Sequence, residues 1–396
     1  MADLAQNSAL AINVQSGADT YTLPTSADVI PCFAMAPQRR TITVDNPEYT
    51  GAIHAAGPFV AGALVSVTAS FVIRGPGGST PPSADTWLLG KVLRSLGFTE
   101  AVRATAVPLA PEALGVGSTT TKAVLGSSAA GTAGIYTGEA LYLDALGASA
   151  SNLANYTPIR SYDASKGAVL PRTLGSAPTG NYQIPKSLTY RFAGSSSTIY
   201  LAGKLWRGGK RYDFKNMAFS AARFRWQPSN RDQTAVCTLE VTWDADLVAT
   251  ADEACPAIPA LGNPPIFRDG KFAVANTELG ASAVEWSIEP TTAFPYNPNK
   301  PMGNDAGQIA RTVRTINFTF NQERAATFDA EAIAAAQASH AQWLQFGTGT
   351  GNMACGLVTD TRLSFPGDSE DNFVLNQMDG YIDKAADSFT ITFPYI

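Results

Sequence analysis

One stretch, residues 65–97, constrains the fold of this chain more than any other. From Val65 to Ile73 apolar and polar residues alternate, which is the pattern of a strand with one buried face. A Gly/Pro-rich loop, residues 75–82, follows. Leucine and valine then recur at helical spacing up to Leu96, and Gly97 suits the left-handed position that ends a helix. The stretch therefore predicts a strand, a loop and a short amphipathic helix.

Residue chemistry also predicts where this helix begins. Ser83 is a good N-cap because its hydroxyl can accept a hydrogen bond from an otherwise unpaired amide of the first turn. Asp85 would then lie near the positive end of the helix dipole.

The same order returns late in the chain. Residues 312–320 (TVRTINFTF) alternate as a strand, and a helix is predicted over residues 328–345 with Thr327 as its cap and Gly347 at its end. This helix would contain His340. The repeated order predicts two units of similar construction.

The proposed boundary between the units is the Pro-rich segment PAIPALGNPP at residues 256–265. The domains are then residues 1–255, which include an N-terminal arm, and residues 256–396. Residues 99–190 are rich in Ala, Gly, Ser and Thr but keep scattered apolar residues, so we interpret them as an insertion of short strands and loops.

Other segments favour a mainly β fold. Residues 222–226, 237–243 and 388–396 have strand patterns, and Gly208-Gly209 provides the positive φ angles of a tight hairpin turn. The 34 glycines and 25 prolines indicate many turns. The expected fold is thus mainly β, with two sandwich-like or barrel-like units that each have a short flanking helix.

Charge is sparse and uneven. Charged residues make up 15% of the chain, which suits a protein covered by copies of itself and equally suits a soluble β-sandwich binding module. Residues 256–396 carry 15 acidic and 8 basic residues, a net −7, and the remainder is +2. No basic run is present, so tight binding to a phosphate backbone is not expected.

Catalytic and metal-binding patterns are not found. The two histidines, His54 and His340, neighbour no nucleophile motif, and the four cysteines have no C-x-x-C spacing. The cysteines are Cys32, Cys237, Cys255 and Cys355, and we expect buried, reduced thiols. No enzyme activity, cofactor or metal is predicted. The strand tryptophans Trp206, Trp226 and Trp243 are more typical of a core than of a sugar-binding platform.

Targeting signals are not predicted either. The first twenty residues have neither the basic region nor the apolar run of a signal peptide, and no stretch has the length and apolarity of a membrane span. Synthesis and folding in a cytoplasm are expected.

Two regions resemble a known family. The segments ALAINVQSGADTYTLPTSADVI, FVAGALVSVTASFVIRGPGG and ADTWLLGKVLRSLGF, within residues 9–98, resemble the N-terminal part of tail tube proteins from long-tailed bacteriophages. The segment IYLAGKLWRGGKRYDFKNMAFSAARFRWQP, within residues 188–245, is similar to their later hairpin and strands. The long middle segment departs from the family pattern.

The resemblance implies a structural virion protein that is made in the host cytoplasm and resides in the tail. Such proteins stack as rings, commonly of six members, and join their strands into a barrel around a channel for the genome. A chain with two copies of the fold would give a pseudo-hexameric ring from three chains, and a ring of six chains is the other option. The implied partners are further copies of the chain, the tape measure, terminator and distal tail proteins, and double-stranded DNA in transient passage through a lumen expected to be acidic. No membrane is implied.

Two sets of residues are candidates for this function. The candidate inter-subunit contacts are Gly75, Pro76, Gly77, Gly78, Arg207, Gly208, Gly209 and Lys210. The candidate channel strands are marked by Val65, Val67, Phe71, Ile316, Phe318 and Phe320. The competing interpretation is a virion surface protein, a β-sandwich that binds a carbohydrate or receptor.

Overall fold

The computed structural model describes most of the chain. The described residues are 8–20, 22–32, 34–44, 59–193, 199–227, 236–259, 264–267, 270–295, 297–299, 305–321, 328–347, 349–371, 373–382 and 388–396. His54 and Thr327 lie outside these residues.

Twenty-four strands and two α-helices are described. The first strands are β1 (Ser8–Val14), β2 (Val29–Ile30), β3 (Ala34–Val44), β4 (Phe59–Val72) and β5 (Phe98–Arg103), with helix α1 (Leu88–Ser95) before β5. The next are β6 (Val107–Ala113), β7 (Lys122–Val124), β8 (Ala140–Leu143), β9 (Tyr156–Pro158), β10 (Ser161–Tyr162), β11 (Gly167–Val169) and β12 (Asn181–Ile184). Then come β13 (Lys186–Phe192), β14 (Leu201–Arg207), β15 (Lys210–Trp226) and β16 (Thr238–Asp252). The last are β17 (Lys271–Val274), β18 (Thr277–Glu278), β19 (Ala281–Ala293), β20 (Gln308–Asn321), β21 (His340–Phe346), β22 (Ala354–Asp371), β23 (Phe373–Ile382) and β24 (Phe389–Tyr395), with helix α2 (Ala330–Ala335) before β21.

The protein is mainly β, which confirms the expected fold class. Two layers of antiparallel strands account for most of it. The first sheet has the order β3–β4–β16–β15–β19–β20–β23–β22. The second sheet has the order β5–β13–β24–β22–β21–β17. Strand β22 belongs to both, because its start pairs in the second sheet and its end, from Thr361, pairs with β23 in the first.

The main core lies between the two sheets. Aromatic rings connect the layers: Phe224 of the first sheet contacts Phe98 and Phe389 of the second, and Trp286 also contacts Phe389. All of these side chains are at most 1% exposed. Fully burying one large apolar side chain contributes about 1.5–3 kcal/mol, so this aromatic layer is a main source of stability.

The first sheet contains a repeated strand order. Strands β3, β4, β16 and β15 form one four-stranded ladder, and β19, β20, β23 and β22 form a second in the same order. The ladders join edge to edge where β15 pairs with β19. Each ladder also has a helix after its second strand. The second sheet lacks this order, since β5 lies at one end of it and β21 beside the other end.

Strands β6 to β12 form a smaller body with its own core. They make a three-stranded and a four-stranded sheet, and Tyr136, Leu141 and Tyr182 are among the residues buried between them. This insertion, residues 104–185, packs on the outer face of the second sheet. Its short strands and turns agree with the expectation for this segment, but β5 and β13 at its two ends belong to the second sheet.

The first helix begins later than its sequence suggests. It starts at Leu88 after Trp87, not at a Ser83 cap, because Ser83 and Thr86 form a separate turn. Asp85 has a φ of +65° and forms an ion pair with Arg94. The apolar face is as predicted, with Leu89, Val92 and Leu93 buried, and Gly97 has the expected positive φ of +90°.

The second helix is much shorter than predicted. It ends at Ala335, and residues 340–345, expected to be helical, lie in β21. Asp329 caps the helix, since its side chain accepts a hydrogen bond from the Ala332 amide. These residues form a strand and not a helix because β21 lies between the main core and the insertion. The strand is buried on both faces from Ala341 to Phe346. The assignment of His340 to a helix was therefore wrong.

The predicted hairpin turn is confirmed. Arg207 pairs with Lys210 across a two-residue turn in which Gly208 and Gly209 both have positive φ. Burial of the cysteines holds for Cys237 and Cys355, whereas Cys32 and Cys255 are half-buried. No helix within the described ranges has the length and apolar character to cross a membrane.

Candidate assembly surface

The first sheet has one face against the core and one polar face. On the polar face of β4 and β16 lie Ser66, Thr68, Glu240 and Thr242, which alternate with buried Val67, Ala69, Leu239 and Val241. The same face continues through both ladders with Arg223, Arg225, Glu285, Glu289, Thr315, Asn317, Thr319, Gln377 and Asp379. It is a wide surface of mainly polar and charged side chains, with Val313 and Tyr381 as exposed exceptions.

Cross-strand contacts hold these side chains in rows. Thr68 Oγ1 and Thr242 Oγ1 share a hydrogen bond of 2.9 Å between β4 and β16. Arg225 Nε donates to Glu285 Oε2 over 3.1 Å, directly across the junction of the two ladders. Such pairs stabilise a sheet by a few tenths of a kcal/mol to about 1 kcal/mol each. The polar face is therefore an ordered surface.

The candidate channel residues all lie on the other side of these strands. Val65, Val67, Phe71, Ile316, Phe318 and Phe320 are at most 4% exposed and belong to the main core. Their side chains do not face an open space. If β4 and β20 line a channel, the alternate residues do so, such as Thr68 in β4 and Asn317 in β20.

The polar face is nearly balanced in charge. Its described carboxylates are Glu240, Asp244, Glu285, Glu289 and Asp379, and its described guanidiniums are Arg223, Arg225, Arg311 and Arg362. The expected acidic lumen gains no support from this face, because the acidic excess of residues 256–396 is not concentrated there.

Both ends of the first sheet are open strand edges among the described residues. Strand β3 pairs with β4 alone, and β22 from Arg362 onward pairs with β23 alone. Each edge strand contains a proline, Pro37 in β3 and Pro366 in β22. Sheets tolerate proline at edges and bulges. The sequence patterns did not predict these edges, because no predicted strand contains Pro37 or Pro366.

The candidate contact loop lies against another loop of the same chain. Gly77 N donates to Gly351 O over 3.0 Å. A Cβ on Gly75 would lie 2.1 Å from Gly351 O, so the approach requires glycine. Beyond this contact Gly78 is exposed and Pro76 is half-buried. The contact of Gly75 and Gly77 with Gly351 thus joins the two halves of the chain.

The hairpin turn from Arg207 to Lys210 is exposed, and hydrogen bonds and ion pairs hold the residues next to it. Trp206 Nε1 donates to Glu253 Oε1 over 3.0 Å, and Arg211 forms ion pairs with Glu253 and with buried Asp213. The hydrogen bond from Trp206, with those from Arg211, lowers the pKa of Glu253. This tip is a rigid projection, and its role in a contact remains a prediction.

An ion pair attaches the N-terminal segment to α1. Lys91 Nζ, in a residue only 9% exposed, contacts Asp28 Oδ1 at 2.9 Å and Asn13 Oδ1 at 3.2 Å. Burial tends to raise the pKa of Asp28, but hydrogen bonds from the Thr25 amide and from Lys91 outweigh it and lower the pKa. The segment before β3 is therefore held to the body of the protein.

The insertion docks on the second sheet through a polar interface. Glu139, 2% exposed, accepts hydrogen bonds from Arg103 of β5 and Arg191 of β13, at 2.5–3.2 Å. Other buried polar atoms here lack a protein partner, including Ser187 Oγ, Thr390 Oγ1 and Gln345 Oε1. The charged contacts of Glu139 thus hold the insertion at an interface where several buried polar atoms have no hydrogen-bond partner in the protein.

The remaining described features are a pocket, a histidine and the buried tryptophans. A pocket of about 430 Å³ lies between the insertion and the end of β21, lined by Asn152, Gln345 and Ile396 among others. Burial and the charge of Arg160 lower the pKa of His340. No cluster of metal-ligating side chains occurs in the part of the chain that the structure describes. The strand tryptophans Trp206, Trp226, Trp243, Trp286 and Trp343 are at most 4% exposed, so they form no sugar-binding platform.

Comparison of the sequence with protein-family models and with curated proteins finds no match.

Proposed function

We propose that this chain is a structural virion protein that self-assembles into stacked rings and forms the tail tube of a long-tailed phage. The observation that carries the proposal is the first sheet, where two ladders of the same order are joined edge to edge and leave an open edge at each end. Open edges template further pairing, and head-to-tail pairing that closes into a ring removes them.

The polar face of the first sheet suits the wall of a conduit. The described strands form no closed barrel within one chain, so a barrel requires further copies. With this face inward, the second sheet and then the insertion lie successively farther out. Short polar side chains that are nearly balanced in charge would let DNA pass without retaining it, since retention depends on basic side chains that contact phosphates.

Three chains with two ladders each would give a pseudo-hexameric ring. The ring would stack on further rings and contact the tape measure, terminator and distal tail proteins in the virion. No catalytic step, cofactor or membrane belongs to this function.

The test is assembly of the purified protein. Negative-stain microscopy and light scattering over a concentration series should show rings or tubes with a central hole. A protein that stays monomeric at high concentration would contradict the proposal. Binding of that monomer to a glycan array would favour the carbohydrate-binding alternative.

A further inference from the structure

The junction between the two ladders has a defined register. Five consecutive residues of β15 pair with five of β19, and Ala222 faces Ile288 while Phe224 faces Trp286. All four side chains are at most 1% exposed. The chain thus shows how the last strand of one ladder joins the first strand of the next.

The two ladders can be aligned residue by residue. In the first, Met35, Ala69, Val241 and Ala222 lie side by side across the four strands. In the second, Trp286, Ile316, Gly380 and Leu363 occupy the matching row.

Side-chain type supports this alignment. It matches Phe71 with Phe318 just before the loops that lead to the helices, and Phe224 with Phe365 in the last strands. A shift by two residues would place Arg39, which is exposed, at the position of buried Ile288. The exposed charge of Arg39 therefore argues against this shift, and the two phenylalanine matches favour the alignment given above.

From this alignment we infer that β22 of one copy pairs antiparallel with β3 of a second copy in the register of the internal junction, so that Leu363 faces Pro37 and Phe365 faces Met35. This inference rests on the proposed function and adds the interface that closes the ring. In it Leu363 takes the place of Ala222, and Pro37 takes that of Ile288. On the polar face, Arg362 then lies opposite Gln38.

Disulfide formation can test this register. Directly opposed residues of antiparallel strands have Cα atoms about 4.5–5.5 Å apart, whereas diagonal neighbours are about 7–8 Å apart. A disulfide needs Cα atoms within about 7 Å. Within one chain Gln38 and Arg362 lie on opposite edge strands, seven strand spacings of about 4.8 Å apart, so any link between them joins two copies.

The parent protein for the test carries Cys32→Ser with Cys255→Ser, which removes the two half-buried thiols. Cys237 and Cys355 are buried, and burial raises the pKa of each to about 12, so these thiols stay protonated and unreactive. The test variant adds Gln38→Cys with Arg362→Cys. The matched control adds Gln38→Cys with Ser364→Cys, which is two residues out of register on the same face.

Both variants are oxidised at an assembling concentration and separated on non-reducing gels, and the reduced proteins are viewed by microscopy. The test variant should form covalent multimers in at least several-fold higher yield than the control. The largest covalent species should contain three chains, which is the number of chains in one ring. Rings with equal or greater cross-linking in the control would overturn the register but leave the proposed function. Proteins that form neither rings nor multimers would contradict both.

Discussion

At the scale of single residues, glycine determines how the two halves of the chain meet. Gly75 and Gly351 approach so closely that neither position has space for a side chain. The sequence identifies the Gly/Pro-rich loop at residues 75–82, but it does not show that this loop contacts Gly351, because about 275 residues separate them and no local pattern records the contact.

Gly75→Ala should destabilise the protein by about 1–3 kcal/mol, because the new Cβ would overlap Gly351 O and force one loop to move. Urea denaturation measures the change. Gly175→Ala is the control, since no atom lies within 4 Å of its Cβ position, and it should change stability by less than about 0.5 kcal/mol. Equal losses in the two variants would show that the loops are not in contact.

At the scale of elements, sequence patterns identified strands more reliably than helices. The alternation in β4 and β20 is local and agrees with the structure. The failure at residues 340–345 has a physical cause: a strand buried on both faces loses its alternation and can then be read as a helix. Its second covered face is supplied by the insertion, which sequence periodicity does not reveal.

The insertion should depend on Glu139 for its attachment. Glu139→Gln leaves the half-buried guanidiniums of Arg103 and Arg191 without their counter-charge, and a loss of about 1–3 kcal/mol of unfolding free energy is expected. Limited proteolysis should then cleave residues 104–185 faster than the rest of the chain, and urea denaturation should report the loss.

Asp252→Asn is the control for this substitution. Asp252 forms an ion pair with Lys210 that is largely exposed, and such pairs contribute at most about 1 kcal/mol. An unchanged cleavage rate in Glu139→Gln would show that apolar contacts, such as those of Tyr142 and Tyr156 with Met353, suffice to hold the insertion.

At the scale of the whole molecule, the layers have a fixed order: polar face, first sheet, core, second sheet, insertion. If the proposed ring forms, only the polar face can line the channel, because the insertion covers the other side of the sandwich. The charge of that face then decides how DNA moves through the tube.

Substituting Glu240→Lys with Glu289→Lys would change the polar face of each chain by four positive charges. Assembled tubes should then retain a short DNA duplex at low salt and release it as salt rises, because binding to phosphates is salt-dependent. Nuclease protection of the retained duplex measures whether it lies inside. A matched variant, Asp252→Lys with Glu331→Lys, places the charges on exposed positions away from this face.

Suppose that tubes of the Asp252→Lys/Glu331→Lys variant protect the duplex from nuclease and tubes of the Glu240→Lys/Glu289→Lys variant do not. That result would show that another surface lines the channel. Retention by both without protection would indicate binding to the outside of the tube only.

The sequence by itself determined those features that depend on neighbouring residues. Strands with one solvated face, the Gly208-Gly209 turn, the apolar face of α1 and the left-handed Gly97 all follow from local periodicity and backbone preference. Tertiary structure alone decided the strand at residues 340–346, the contact of Gly75 with Gly351, and the edges β3 and β22. These features depend on which distant segments cover a surface or leave it open, and a chain read in order does not contain that information.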